Sequence, residues 1–341
     1  MASVLPKTFK AAVFESKDAP LTLKEFPLEA PKEGEVLVKV LAAGVCGSDA
    51  SVQSAAFGNS FPIIPGHEIV GDVAAVGPGE TIWKEGDRVG GAWHGGHDGV
   101  CKACKRGMFQ MCEAEAINGV TRNGGYAEYV TLRTEAVVRV PEELDPAATA
   151  PLLCAGVTTF NAMRKMSIPP GEIVAIQGLG GLGHLAVQYA AKMGYRVVAL
   201  SSSAGKEEFA RKLGADEYID SSKEDPAERL AGMGGAAMIV ATAPNASVMG
   251  GLVNGLDTGG KLLVLAPSGD MTVSTASLIL QGRSVHGWPA GASLDSEEAI
   301  RFSQLHGVDC MIEKFGLKDA QRAYEQMTSG TVRFRSVLVM E

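Results

Sequence analysis

Cys46, His67 and Cys154 combine two thiols with one imidazole. That donor set suits a borderline-soft cation such as zinc, and three protein ligands leave a fourth tetrahedral position for a reacting oxygen. Distance along the chain does not say whether the three meet, since free cysteines often pack as small apolar groups and a lone histidine is commonly a core residue. A second cluster is local. In DGVCKACKRGMFQMC, residues 98–112, Cys101, Cys104 and Cys112 stand at separations of three and eight. In a reducing compartment such spacing points to metal and away from disulfides. Asp98 is the expected fourth ligand of a structural zinc, through a carboxylate oxygen, with His97 and then His94 as alternatives; a lobe of buried thiols without metal is the bland reading. A closed site of this kind adds stability and no chemistry.

A third stretch addresses a nucleotide. GLGGLG, residues 178–183, follows the apolar run IVAIQ and opens HLAVQYAAKM. Gly178 permits the tight turn, Gly180 (with Gly181 beside it) lets backbone approach a pyrophosphate, and Gly183 lets helix and strand pack closely. The phosphates would meet free N–H groups at the helix start. After the next strand, RVVAL, an NAD-preferring site usually places a carboxylate on the ribose 2′-hydroxyl. This chain has Ser201, Ser202, Ser203 and then Lys206. Hydroxyls and an ammonium can hold a 2′-phosphate that a carboxylate would repel, so NADP is expected, with NAD as the rival and a solvent-facing loop as the plain alternative.

The elements that must position these groups change character midway. FKAAVF, EVLVKVLAAGV, EIVGDVAAVG, DRVGG, AEYVTL and AVVRVP read as short strands broken by Gly and Pro, a small β domain. From Gly171 strands and helices alternate (IVAIQ, HLAVQYAAKM, RVVAL, KEEFARKL, EYID, AAMIVAT, SVMGGLVNGL, KLLVLA), as in an α/β fold with a parallel sheet buried on both faces. The tail LKDAQRAYEQMTSGTVRFRSVLVM reads as a helix and a terminal strand that complete the first domain. With 341 residues, 46% apolar, the chain is long enough for about two domains with real cores. A net charge of -8 gives no general pull toward nucleic acid, and no nucleic-acid motif is present. No apolar run approaches a membrane span, and the N-terminus lacks the apolar core of a secretory signal, so a cytoplasmic location is expected.

Residues 36–79, the 98–112 cluster, CAGVTTF at 154–160 and GLGGLG together resemble the zinc-containing medium-chain alcohol dehydrogenases over nearly the whole chain. The resemblance implies a GroES-like, β-rich catalytic domain over 1–155, a Rossmann doubly wound parallel-sheet domain over 156–290, and a return to the catalytic domain over 291–341. It implies a catalytic zinc on Cys46, His67 and Cys154, with Glu68 beside the metal and able to exchange with substrate or water. Asp49 matches a carboxylate that orients the ligand histidine. Ser48 matches the hydroxyl that takes the alcohol proton. Where many members end the relay with a histidine, this chain has Ser51, whose hydroxyl has no pKa near 7 and cannot act as that base. Asp98 stands where the family usually has a fourth cysteine.

Thr158 matches a threonine on the nicotinamide face, and Arg335 an arginine that reaches the pyrophosphate, with Arg333 as the register alternative. His184 is read either as a cofactor contact or as a helix-surface residue. Trp93 matches an aromatic pocket wall, and Trp288 lies near the nicotinamide or an interface; ordinary core roles are the alternative for both. The expected reaction moves a hydride between NADP(H) and a neutral primary alcohol or aldehyde, aromatic ones included. The rivals are NAD-dependent oxidation of secondary alcohols or polyols, and a non-catalytic nucleotide-binding redox sensor or structural protein. The intact zinc ligands argue against the family's zinc-free reductases. The small-molecule substrate is the only partner expected besides a homo-oligomer, tetramer preferred to dimer, with LILQGRSVHGW supplying the edge strand.

Overall fold

The structure, a computed structural model, describes residues 5–340. Residues 1–4, the start of the stretch read for a leader, lie outside them. The chain divides into two units. The first runs through Val157 and adds Ala290–Arg301 and the chain from Asp309 onward; the second is Thr158–Pro289 with Phe302–Val308.

In the first unit, the strand Glu35–Gly44 organises a seven-stranded sheet. Val36, Val38 and Val40 alternate inward and are fully buried, as a half-buried strand requires. The order across the sheet is Ile312–Gly316, Arg335–Val339, Glu35–Gly44, Ile69–Val76, Arg88–Gly91 and Val138–Arg139, while Tyr129–Arg133 also pairs with Glu35–Gly44. The terminal strand is antiparallel to the end of Glu35–Gly44, with Val337 opposite Gly44. That register delivers Arg335 and Ser336 to the turn that carries Cys46; Val45 N–H donates to the Ser336 carbonyl at 2.9 Å. A hairpin, Thr8–Phe14 with Leu21–Pro27, packs its apolar residues into the same core. His94–Gly96 pairs with Ala116–Ile117 at the base of the 98–112 lobe.

The second unit is a six-stranded sheet, parallel throughout. Its order is Glu217–Asp220, Arg196–Ser201, Ile173–Gln177, Ala236–Ala241, Leu256–Val264, Ser284–Gly287. Numbered from Ile173–Gln177 this is the 3-2-1-4-5-6 order of a dinucleotide-binding sheet, whose ligand crevice opens where the order reverses. That point lies between Gln177 and Ala241.

Two expectations change. LILQ is helical, within Thr275–Gln281, because Ser274 caps the start and Gly282, at φ 62°, turns the chain out; only Ser284–Gly287 is strand. The tail does not belong wholly to the catalytic unit either. Phe302 packs on Phe160 at 5.0 Å and Ser303 bonds the Tyr189 hydroxyl at 2.7 Å, so 302–308 joins the nucleotide unit. Among the described residues no helix is long and apolar enough to cross a membrane.

Candidate active site

Cys46 follows the strand Glu35–Gly44, His67 and Glu68 precede Ile69–Val76, and Cys154 ends the short helical turn Ala150–Leu153. Antiparallel pairing of the two strands, extended by Gly44 N–H donating to the Glu68 carbonyl at 2.9 Å, brings the first three together. Donor atoms of Cys46, His67, Glu68 and Cys154 all lie within 4.8 Å of one another. The sulfurs of Cys46 and Cys154 are 3.7 Å apart. Their shared hydrogen bond holds Cys46 well below the usual thiol range against the effect of burial, with the charges of Arg335 and His67 assisting, and pushes Cys154 well above it.

His67 is wholly buried, yet neither ring nitrogen has a hydrogen-bond partner among the described residues; Oε2 of Glu68 is likewise unpaired. A buried imidazole without partners is costly unless something else satisfies it. Two thiols, an imidazole nitrogen and a carboxylate oxygen converging on one point fit zinc. Gly44 makes room for the carboxylate, because a Cβ there would fall 1.8 Å from Glu68 Oε2.

Asp49 stands behind this set. Its Oδ1 lies 3.5 Å from His67 Nδ1, and its Oδ2 accepts from Cys46 N–H at 2.8 Å and the Tyr126 hydroxyl at 2.6 Å. Arg335 Nη2 is 2.7 Å from Glu68 Oε1 and 3.9 Å from Cys46 Sγ. Burial drives Glu68 upward in pKa and Arg335 pulls it back. The structure thus gives Arg335 a partner, Glu68, that the sequence did not name. Arg333 is exposed, outside the strand, and its N–H donates to Glu313. Ser48 Oγ lies 3.8 Å from Cys46 Sγ, and Ser51 is half-buried on the same short helix, Ser48–Gln53.

Trp93 sets its ring edge to face against His67, centroids 4.9 Å apart, and Phe57, 43% exposed, meets Trp93 at 5.4 Å. An aromatic wall therefore extends from the donor set toward solvent. Phe57 and Tyr126 carry no motif that would single them out in a sequence.

Asp98, Cys101, Cys104 and Cys112 form the second donor set, again within 4.8 Å of one another. Asp98 Oδ1 accepts the N–H groups of Cys101 at 2.9 Å and Val100 at 2.8 Å, and these hold its carboxyl down at about 2. Amides also point at sulfur: Cys104 N at Cys101, and Asp98 N and Ala114 N at Cys112. Such bonds favour thiolates, so this set also fits zinc. His94 and His97 stay outside it and bond each other at 3.1 Å.

In the nucleotide unit, Gly178 has φ 94°, and a Cβ on Gly183 would fall 1.9 Å from the Gly178 carbonyl, so the turn and the helix Gly183–Lys192 depend on both glycines. Gly180 is exposed at the crevice and Gly181 half-exposed. A cleft of about 360 Å³ is lined by Gly178, Gly180, Ser201, Ser202, Lys206, Ser221 and Asn245 among others. Lys206 Nζ lies 3.5 Å from the Leu179 carbonyl, and the Ser203 carbonyl accepts from Tyr218 and from Lys206 N–H. Glycine amides with an adjacent ammonium and hydroxyls fit a dinucleotide. His184 is fully buried and bonds the Gly180 carbonyl at 3.0 Å, so it is no surface residue. Thr158 is half-exposed in the first turn of Ala155–Lys165, and Trp288 lies under Lys165 Nζ at 6.0 Å.

Comparison with known proteins agrees with both halves. Residues 32–142 match the alcohol dehydrogenase GroES-like domain and residues 181–305 the zinc-binding dehydrogenase domain. The chain is 59% identical to the alcohol dehydrogenase patD of Penicillium expansum, over all of both chains. A cinnamyl alcohol dehydrogenase of Sorghum bicolor superposes with TM-score 0.89 at 31% identity, over 98% of each chain. Acetophenone reductase of Geotrichum candidum, solved with NAD, does so with TM-score 0.88 at 28% identity, over 99% of this chain and 98% of the other. The chain belongs to the zinc-containing medium-chain alcohol dehydrogenase family, and it is an alcohol dehydrogenase by descent as well as by fold.

Proposed function

We propose that the protein interconverts a neutral primary alcohol and its aldehyde, aromatic ones included, with zinc at the Cys46 set and NADP(H) as hydride carrier. The observation that carries the reading is the convergence of Cys46, His67, Glu68 and Cys154 beside an aromatic wall. Zinc held there supplies Lewis acidity toward the alcohol or carbonyl oxygen. Cys46, His67 and Cys154 bind it, and Asp49 fixes the imidazole. Glu68, restrained by Arg335, would be the carboxylate beside the metal, able to give way to substrate or water. Ser48 would take the alcohol proton, and Ser51 in the relay position supplies no histidine-like base. Trp93 and Phe57 bind the organic part and exclude water.

Gly178, Gly180, Gly181 and Gly183 seat the pyrophosphate, and Thr158 bears on the nicotinamide. Ser201, Ser202, Ser203 and Lys206 take the 2′-phosphate. The 98–112 set holds a structural zinc. Ile279 and Leu280, 78% and 79% exposed beside the edge strand Ser284–Gly287, support sheet extension into a homo-oligomer, a tetramer before a dimer. Six free thiols suit a cytoplasmic location.

The second reading, NAD-dependent turnover of a secondary alcohol, draws support from the acetophenone reductase likeness. Initial rates of benzaldehyde and acetophenone reduction with NADPH and NADH at equal subsaturating concentration, with a chelator-treated control, separate the two. Zinc-dependent reduction of benzaldehyde that is faster with NADPH supports the first; faster acetophenone reduction with NADH overturns it.

A further inference from the structure

His94 is 1% exposed, and both of its ring nitrogens are engaged. Nδ1 lies 3.0 Å from Oε1 of Glu115, and Nε2 lies 3.1 Å from Nδ1 of His97. A carboxylate oxygen accepts, so His94 Nδ1 donates; in the neutral ring Nε2 then accepts from the Nδ1–H of His97. His97 immediately precedes the ligand Asp98, and Glu115 follows the ligand Cys112 by three residues. One imidazole thus joins the two chain ends that enter and leave the second metal lobe.

Other contacts reinforce that neck. The His97 ring stacks on Phe109, inside the lobe, at 4.2 Å and on His94 at 5.3 Å. Its carbonyl accepts from Arg133 at 3.2 Å, and its N–H donates to Glu135 at 3.4 Å. Both ring nitrogens of His94 are taken, and the second donor set closes without either histidine.

The residue before His94 is Trp93, whose ring lies on the catalytic ligand His67. The backbone between them is pinned by Asn118, whose side-chain amide donates to the Ala92 carbonyl at 2.8 Å and whose N–H donates to the Trp93 carbonyl at 3.2 Å. Two adjacent residues therefore face the two metal sets, one each.

We propose that His94 is a positioning residue: it closes the neck of the 98–112 lobe and, through its peptide bond to Trp93, fixes the aromatic wall beside His67. Its role in substrate binding rests on reading that wall as part of the substrate site; the clamp itself does not.

Zinc-loaded wild type, His94→Leu and His94→Gln test it. The Gln amide offers an NH2 donor to Glu115 and a C=O acceptor to His97, so it can remake both bonds. Zinc release to a chromophoric chelator is followed, and the phase abolished by Cys104→Ser is assigned to the lobe. That phase should quicken about tenfold or more in His94→Leu and return toward wild type in His94→Gln. Protein labelled with 5-fluorotryptophan gives a second readout, the Trp93 fluorine resonance being assigned through Trp93→Phe. It should shift in His94→Leu, recover in His94→Gln, and leave the Trp83 and Trp288 resonances in place.

An unchanged lobe phase in His94→Leu overturns the clamp. A quickened phase with an unmoved Trp93 resonance overturns its link to the wall. Should His94→Leu fail to fold, Glu115→Ala removes one end of the clamp and must move both readouts in the same directions. Neither readout needs turnover. A raised KM for benzaldehyde in His94→Leu with kcat nearly constant extends the effect to substrate; a shifted resonance with KM unchanged supports the clamp and overturns the reading of the wall.

Discussion

Arg335 and Glu68, 267 residues apart in sequence, form an ion pair of 2.7 Å with side chains only 4% and 0% exposed. Removing one member of such a pair strands a buried charge, which costs about 3–5 kcal/mol. Arg335→Leu in the zinc-loaded protein should lose stability of that order in urea unfolding. Combining it with Glu68→Gln should recover a large part of the loss, because neighbours that share a charge are not additive. Simple addition of the two single losses would show that the pair does not act as a unit.

Asp49 accepts from Cys46 N–H and Tyr126 and faces His67, so it sets the geometry of two ligands at once. Asp49→Asn should lower zinc affinity at the catalytic set by about 10–100-fold, with the second set unaffected. Tyr126→Phe should do the same more weakly. Competition with a chelator of known affinity, counting one zinc against two, distinguishes these outcomes from general unfolding.

Lys206 and Ser202 border the nucleotide cleft beside the Gly178 turn. Hydrogen bonds to charged groups contribute about 1.5–3 kcal/mol, so Lys206→Ala should reduce kcat/KM for NADPH roughly tenfold or more while sparing NADH. Ser202→Asp should move the preference further by repelling the 2′-phosphate. Equal losses with both cofactors would remove the phosphate role from this loop.

Asp145 caps the short helix Pro146–Thr149, its Oδ1 accepting Ala147 N–H at 2.9 Å and its Oδ2 facing Lys314 at 2.9 Å. Lys314, then the capping N–H, hold its carboxyl below the ordinary value. A carboxyl depressed on folding stabilises above its unfolded pKa of about 3.9, and the contribution fades as pH falls through the lower folded value. Asp145→Ala should therefore cost about 1 kcal/mol at pH 7. Asp145→Asn, which keeps a capping oxygen, should cost less. The gap between wild type and Asp145→Ala should narrow in melts taken below pH 4; a gap independent of pH would mean that ionisation plays no part.

Features that are local in the chain were legible in it. Cys101, Cys104 and Cys112 sit on one loop, and Gly178 to Gly183 sit on one turn, so spacing alone describes them. The alternation in EVLVKV likewise marks its strand. Arg335's partner was not legible, because it depends on the terminal strand lying with Val337 opposite Gly44, a register chosen by packing across the sheet. The contacts Tyr126 to Asp49 and Glu115 to His94 also join separate elements. LILQ could be helix or strand by its apolar run, and Ser274 and Gly282 decided it. Segment 302–308 ends and follows the helix Ser293–His306, and no motif in it says which core it serves.

The bare backbone at Gly44 has an evolutionary side. Since the Glu68 carboxylate fills the place a methyl group would take, the two positions cannot drift independently. Shortening residue 68 would not free the place, because a Cβ at 44 also falls 2.9 Å from the Cβ of residue 68. The glycine is thus fixed by the path of its neighbour's main chain as well as by the carboxylate, and in lineages descending from this sequence it should outlast changes at 68 and 335.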